Sequence, residues 1–295
     1  MQNPFTKKYT EEKTDESLIS KAVQGDKLSL EELIIRHQDW IYNIALRMVF
    51  YSDEAKDVTQ EVLIKIITNL SSFKAESAFR TWAYRIVVNH ILNLKKSVAE
   101  KTHSTNFEQY SIAIDKTPDF ELHSEMNIGF NAETVVEEVK LHCMYGMLLC
   151  LDREQRMVFV LGALFGVTDN VGAELMQITK DNFRQKLSRA RKDIFNFMNN
   201  KCGLIRKTNS CHCSKKARAM VDSGYVNPDN LMFNKNYIFR IKDITPDVTR
   251  NFSDYVEKEG DKLFSEQPFQ TSPDFVQYIR KLINADEFKN IFNYN

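Results

Sequence analysis

Apolar side chains recur at helical spacing through much of the chain. From Ala55 they fall at Val58, Val62, Leu63, Ile66, Ile67 and Leu70, one face of an amphipathic helix. Phe79, Trp82, Ala83, Ile86, Val87, His90, Ile91 and Leu94 repeat the pattern. Leu30, Leu33, Ile34, Ile41, Ile44, Ala45 and Met48 predict one or two more helices upstream. Between the two strong helices, Ser71 to Ala78 is a short polar loop, which implies a compact antiparallel bundle. Further on, Asp152-x-x-Gln155 precedes Met157, Val158 and Leu161 as an N-terminal cap with a Gln reaching back. Phe183, Leu187, Ala190, Ile194 and Phe197 form another stripe. Near the end, Phe252, Tyr255 and Phe264 mark one candidate helix. Pro273, at a helix start, opens a second with Phe275, Val276, Tyr278, Ile279, Leu282 and Ile283.

Composition agrees with an all-α reading. The chain has 295 residues, 43% of them apolar, which is enough for two domains of about 150 residues with real cores. Nine Gly and six Pro argue against a β-sandwich built on tight turns. The polar stretch Met1 to Ser17 lacks the apolar core of a secretory signal. Met157 to Val167, the longest apolar stretch, falls far short of the roughly 20 residues of a membrane span. With five cysteines, an odd number, reduced thiols or a metal site are favoured over disulfides. The expectation is a soluble, cytoplasmic protein.

Charge changes the picture once it is located. Forty basic and forty acidic residues cancel to zero, which first argues against a nucleic-acid partner. By segment, however, residues 56–96 carry +4 and 180–218 carry +10, with −6 over 97–140 between them. Two basic segments suggest two nucleic-acid contact surfaces on one chain. In the first, Arg80, Thr81, Tyr84, Arg85 and Asn89 accompany Phe79 and Trp82, and Lys95 and Lys96 follow. Cations supply phosphate affinity and aromatic faces stack unpaired bases, so the set suits a single-strand platform; on periodicity alone, Phe79 and Trp82 read first as plain core. In the second, Arg184, Gln185, Ser188, Arg189 and Lys192 stand opposite the apolar stripe. Such a face suits the major groove, or merely solvent.

Residues 53–96, DEAKDVTQEVLIKIITNLSSFKAESAFRTWAYRIVVNHILNLKK, resemble without gaps the promoter-melting domain, region two, of bacterial sigma factors of the extracytoplasmic-function (ECF) type, and the likeness extends back through 25–49. The resemblance implies that Asp57, Gln60 and Glu61 dock on the clamp helices of core RNA polymerase, where an ordinary solvated face is the alternative. It implies that the loop 71–79, with Phe73, Lys74, Ser77 and Phe79, captures a flipped base of the minus-ten element. Arg80, Trp82, Arg85 and Asn89 would contact the melted strand. Unstacking a base costs a few kcal/mol, which a stacking pocket offsets. No catalytic residues are expected.

Residues 151–194 resemble region four of the same family, a helix-turn-helix ending in Leu-Ser-Arg-Ala-Arg. That likeness places Thr179, Lys180, Asn182, Arg184, Gln185, Lys186, Ser188 and Arg189 on the helix that reads the upstream, minus-thirty-five element. Two departures stand out. Val171 and Gly172 replace a usual Glu-Ile pair, and Gly inside a helix costs about 1 kcal/mol. Asp181 replaces a frequent Gly and would repel a phosphate, so upstream recognition is expected to be weakened or altered.

The organisation expected is all-α: region two over 17–96, a flexible acidic linker over 97–131, region four over 132–200, a basic Cys-containing segment over 201–234 and a helical extension over 235–295. In the family such a linker threads the polymerase cleft; a solvated tether is the alternative. Cys202, Cys211 and Cys213 lie within twelve residues and admit a structural zinc, although tetrahedral sites want four ligands and His212 is awkwardly directed between two of the cysteines. Buried thiols or a redox-sensitive cluster are the other readings. This segment is similar to a tail on some Bacteroidetes-type sigma factors. The extension either packs on the sigma domains or docks a partner.

The function implied is that of an alternative sigma factor needing no cofactor. Its partners would be core RNA polymerase and promoter DNA, both duplex and melted, with an anti-sigma factor or a DNA-targeting partner as a further use of the tail. A helix-turn-helix regulator acting without polymerase competes with this, as does a sigma factor whose promoter choice is delegated to such a partner.

Overall fold

The computed structural model describes residues 15–103, 106–120, 132–232, 264 and 269–283. Among them are twelve α-helices and a single isolated β-bridge, Cys202 to Cys211. By internal contacts the chain divides into two compact units, one of residues 1–97, 166–183 and 269–295, the other of residues 98–165 and 184–268.

The first unit opens with α1 (Glu16–Val23) and α2 (Lys27–Val49), so the upstream pattern is one long helix preceded by a short one. Asp26 caps α2 by accepting the Leu28 amide. Asp15 joins the two helices: its carboxylate takes Arg36 at 3.0 Å and His37 at 3.3 Å. Burial pushes the Asp15 carboxyl up, but His37 and Arg36 together hold it below its ordinary value. Helices α3 (Ser52–Thr68) and α4 (Phe79–Leu92) complete the bundle, with a 3₁₀ turn at Leu70–Ser72 beginning the loop between them. Ala55, Val58, Val62, Leu63, Ile66 and Ile67 of α3 are buried, as the periodicity predicts.

Two later segments belong to this unit. Helix α9 (Asp169–Met176) is capped by Thr168 and ends at Gln177, whose backbone is left-handed (φ 53°, ψ 41°). The amide of Ile178 returns to the Ala173 carbonyl at 3.0 Å and closes the turn. Helix α10 (Lys180–Lys201) starts three residues later, so a helix-turn-helix is present. Gly172 is more than a weak point in α9. A Cβ there would stand 2.3 Å from the Phe183 ring, so its absence lets the two helices close over that ring. Asp181 lies in the first turn of α10, where a carboxylate favours the helix dipole.

The tail supplies α12 (Phe275–Ile283), which packs on α2. Pro273 precedes the helix rather than starting it; Asp274 is the cap and accepts the Gln277 amide at 3.0 Å. Asn43 and Gln270 exchange hydrogen bonds at 2.8 and 2.9 Å, Trp40 meets Phe269 at 4.6 Å, and Arg280 forks onto Glu31 at 2.7 Å. The described part of the extension is therefore an intramolecular cap. Phe252 and Tyr255 lie outside the described residues.

The second unit contains α5 (Val98–Thr102), α6 (Phe107–Lys116), α7 (Ala132–Leu149), α8 (Arg153–Phe159), most of α10, and α11 (Cys213–Asp222). A π turn, Val160–Leu164, prolongs α8. Asp152 caps α8 as the sequence predicts, taking the Gln155 amide at 2.8 Å. The expected extended linker is corrected here. Its described residues form α5 and α6, and both are anchored. Glu100 accepts Arg153 at 2.6 Å and Arg156 at 3.2 Å, while the buried Arg156 also donates to the carbonyls of Leu148 and Leu151 at the end of α7. Phe107 and Tyr110 lie against Phe197. Periodicity is weak there because α5 and α6 are short and α6 has no buried residue.

Replacing Gly172 with Ala should destabilise the chain by about 1–3 kcal/mol through overpacking, despite Ala's better helix propensity. Urea denaturation checks this; a stabilised variant would contradict the close approach to Phe183.

Candidate nucleic-acid interface

Helix α4 carries the site because one of its sides is locked. Ala83, Tyr84, Val87, Val88 and Ile91 are each at most 2% exposed, which fixes the helix's rotation in the bundle. Trp82 and Arg85 are left half-buried and Asn89 exposed along another side. The loop before α4 folds back on its start: Phe73 stands 5.6 Å from both Phe79 and Trp82, and those two rings are 5.7 Å apart. Phe79 is 5% exposed and meets His37 edge-on at 5.4 Å, so it supports this aromatic group from beneath instead of facing outward. Lys74 is exposed, and Ser77 and Arg80 are half-buried. Phe73, Trp82 and the nearby cations form a shallow stacking surface with an aromatic floor.

Two neighbours of this surface were not legible in the sequence. Arg85 donates to the Glu174 carboxylate of α9 at 2.9 Å, and Gln177 donates to the Asn89 side chain at 3.3 Å. The first helix of the helix-turn-helix thus occupies two side chains expected to touch the melted strand. Nothing in the periodicity of either helix specifies this pairing, because Arg85, Asn89, Glu174 and Gln177 all look like polar surface.

Of the set expected on polymerase, Asp57 and Glu61 are exposed on α3 and Gln60 is half-buried. Glu61 reaches His90 of α4 at 3.3 Å, and Lys65 lies 2.6 Å from the same ring. Burial and then the Lys65 ammonium push the His90 imidazole below its ordinary value, against the pull of Glu61.

On α10, Asn182, Arg184, Gln185, Ser188 and Arg189 are exposed. Thr179 is a capping residue and takes the Asn182 amide at 3.2 Å. Two of the expected contacts are already engaged: Lys180 lies 3.8 Å from Asp169, and Lys186 pairs with Glu154 at 2.8 Å. Cys202, Cys211 and Cys213 are free, half-buried thiols. Among the described residues, no group of three or more His, Cys, Asp or Glu side chains is arranged so that it could hold a metal ion. No helix among them is long and apolar enough to cross a membrane.

This helical bundle with an aromatic and basic helix side coincides with a known domain: residues 33–100 match the family Sigma-70 region 2. Over 188 residues the chain is 29% identical to the ECF RNA polymerase sigma-E factor of Escherichia coli K12, covering 63% of this chain and 95% of that protein. It is 38% identical over 79 residues to the RNA polymerase sigma-H factor of Pseudomonas aeruginosa, covering 27% of this chain and 41% of that one. A solved structure of CnrH in complex with the cytosolic domain of CnrY aligns with a TM-score of 0.46 at 19% identity, covering 63% of this chain and 97% of that one. The chain is thus similar to ECF sigma factors along nearly the whole length of the Escherichia coli protein, and its residues 33–100 match the Sigma-70 region 2 family.

Replacing Glu174 with Ala removes a partly exposed ion pair worth about 0.2–1 kcal/mol. Amide hydrogen exchange in α9 should then speed up by as much as about fivefold; unchanged protection would show that the pair does not hold α9.

Proposed function

We propose that this chain is a sigma factor that docks on core RNA polymerase through the α3 surface at Asp57, Gln60 and Glu61, and opens the minus-ten element with α4. The exposed side of α10 then binds duplex DNA upstream. The observation that carries this reading is the Phe73–Phe79–Trp82 group at the head of a cationic helix, inside the region 2 match. An unpaired base can stack on Phe73 and Trp82 while Arg80 and Lys74 attract the backbone. Phe79 acts from behind by fixing both rings. A regulator that binds only duplex DNA has no use for such a surface. No bond in the nucleic acid is made or broken, so the protein acts as a binding subunit, in the cytoplasm where polymerase works.

This role requires a change in the first unit. Arg85 and Asn89 reach the melted strand only when Glu174 and Gln177 release them. These two contacts are polar and partly exposed and together are worth about 1–2 kcal/mol, and α9 also packs along α4. Polymerase docking and strand capture must offset both. The closed arrangement thus lowers affinity for DNA in the free protein.

Trp82→Ala tests the assignment. Loss of base stacking, about 1–3 kcal/mol, should reduce open complex by about fivefold to 150-fold while the closed complex forms as before. Permanganate reactivity of minus-ten thymines measures opening, and footprinting measures closed-complex binding. Equal losses in both would remove Trp82 from the melting step.

A further inference from the structure

We propose that Cys143, Cys202, Cys211 and Cys213 together form a zinc site that staples the tail loop to α7. The sequence offers three clustered cysteines and no convincing fourth ligand. The fold supplies one from a helix some sixty residues earlier: Cys143 lies on α7, against which α11 packs.

The four cysteines all lie within the second unit. Cys202 and Cys211 are partners in the isolated β-bridge, and the Gly203 amide donates to the Cys211 carbonyl at 2.8 Å. Cys213 begins α11 and packs with Val135 and Val139 of α7. Cys143 interacts electrostatically with Cys202, Cys211 and Cys213, and Cys213 with the other three. All are free thiols.

Several features around the cluster suit a metal thiolate. The amides of Leu204 and Ile205 are directed at the Cys202 sulfur, as donors that favour its anionic form. A zinc ion with four thiolates carries a net charge of about −2. Lys140 lies near Cys202 and Cys213 and Lys216 near Cys211, but each is also paired, with Glu137 at 2.6 Å and Asp119 at 2.9 Å, so they offset that charge only in part. The loop itself is held tightly. Asn209 donates to the carbonyls of Asn199 and Cys202, both at 3.0 Å. A Cβ on Gly203 would stand 2.6 Å from the His212 ring and 2.7 Å from the Cys211 carbonyl. His212 is thus packed against the Gly203 turn, which resolves the competition for the fourth position in favour of Cys143.

Burial pushes all four thiols up, Cys211 to about 11, and the other sulfurs add to the rise at Cys143, Cys211 and Cys213. A divalent cation among them removes the mutual repulsion and releases the protons. As they stand in the structure, no three of these side chains are arranged to hold a metal ion. Rotation about χ1 by the ion's own attraction must complete the site, so metal binding should tighten the α7–α11 contact. A soft site of four thiolates selects zinc over harder cations.

The test is metal analysis of the full chain purified from zinc-supplemented medium, with alkylation mapping of the unmutated protein. About one zinc per chain is expected. Cys143, Cys202, Cys211 and Cys213 should be protected from iodoacetamide until a chelator is added. Cys143→Ser should lower zinc below about a tenth per chain, while Cys150→Ser and His212→Ala retain it. The Cys150 thiol bonds the Gly146 carbonyl at 3.5 Å. Absence of zinc from the unmutated chain, a disulfide among the four cysteines, or full zinc in Cys143→Ser would each overturn the proposal. Because alkylation is read on the unmutated chain, a variant that misfolds does not obscure the result.

Discussion

In the function proposed above, helix α4 does two things with fourteen residues: it holds the bundle together and presents a surface to nucleic acid. Its rotation is fixed by five side chains at most 2% exposed, in a unit where α2, α3 and α9 all pack on this helix. Burying residues of that size stabilises each by about 1.5–3 kcal/mol, far more than any polar contact the helix makes. The outward direction of Trp82, Arg85 and Asn89 follows from that rotation. Phe79 works at the boundary, buried against His37 and supporting Phe73 and Trp82 from below. A polar replacement there would collapse the stacking surface without touching DNA.

The same side of α4 is where α9 sits. Apolar packing between Gly172 and Phe183 shapes the helix-turn-helix, and polar contacts from Glu174 and Gln177 attach it to Arg85 and Asn89. The attachment is broader than these two polar contacts, because α9, with Ala173, Leu175 and Met176 buried, also packs along α4. In the second unit the forces are distributed differently: Glu100, Arg153 and Arg156 bind the connector to α8 through a largely buried charge network, which is costly to break.

Much of the fold was legible because helical periodicity reports burial directly. The stripes over 55–70 and 79–94 appear as α3 and α4, and the Asp152 cap stands where its spacing places it. The connector was misread because α6 is a short helix without a buried residue, so its contacts through Phe107 and Tyr110 leave no periodic trace. Gly172 was read as a helix defect because a sequence shows the missing side chain and not the ring that fills its place. Pairings between polar surfaces, such as Glu174 with Arg85, depend on tertiary placement alone. Cys143 was passed over for the same reason: it is distant in sequence from the other thiols and near them only in the folded chain.

The central claim is that the chain is a polymerase subunit that opens DNA. Run-off transcription with purified core polymerase and this chain, on a library of promoter-length duplexes with random minus-ten elements, tests it most directly. The account predicts initiation from a defined subset of sequences, absent with core alone. Good duplex binding by the chain, with no initiation above core alone on any template, would contradict it.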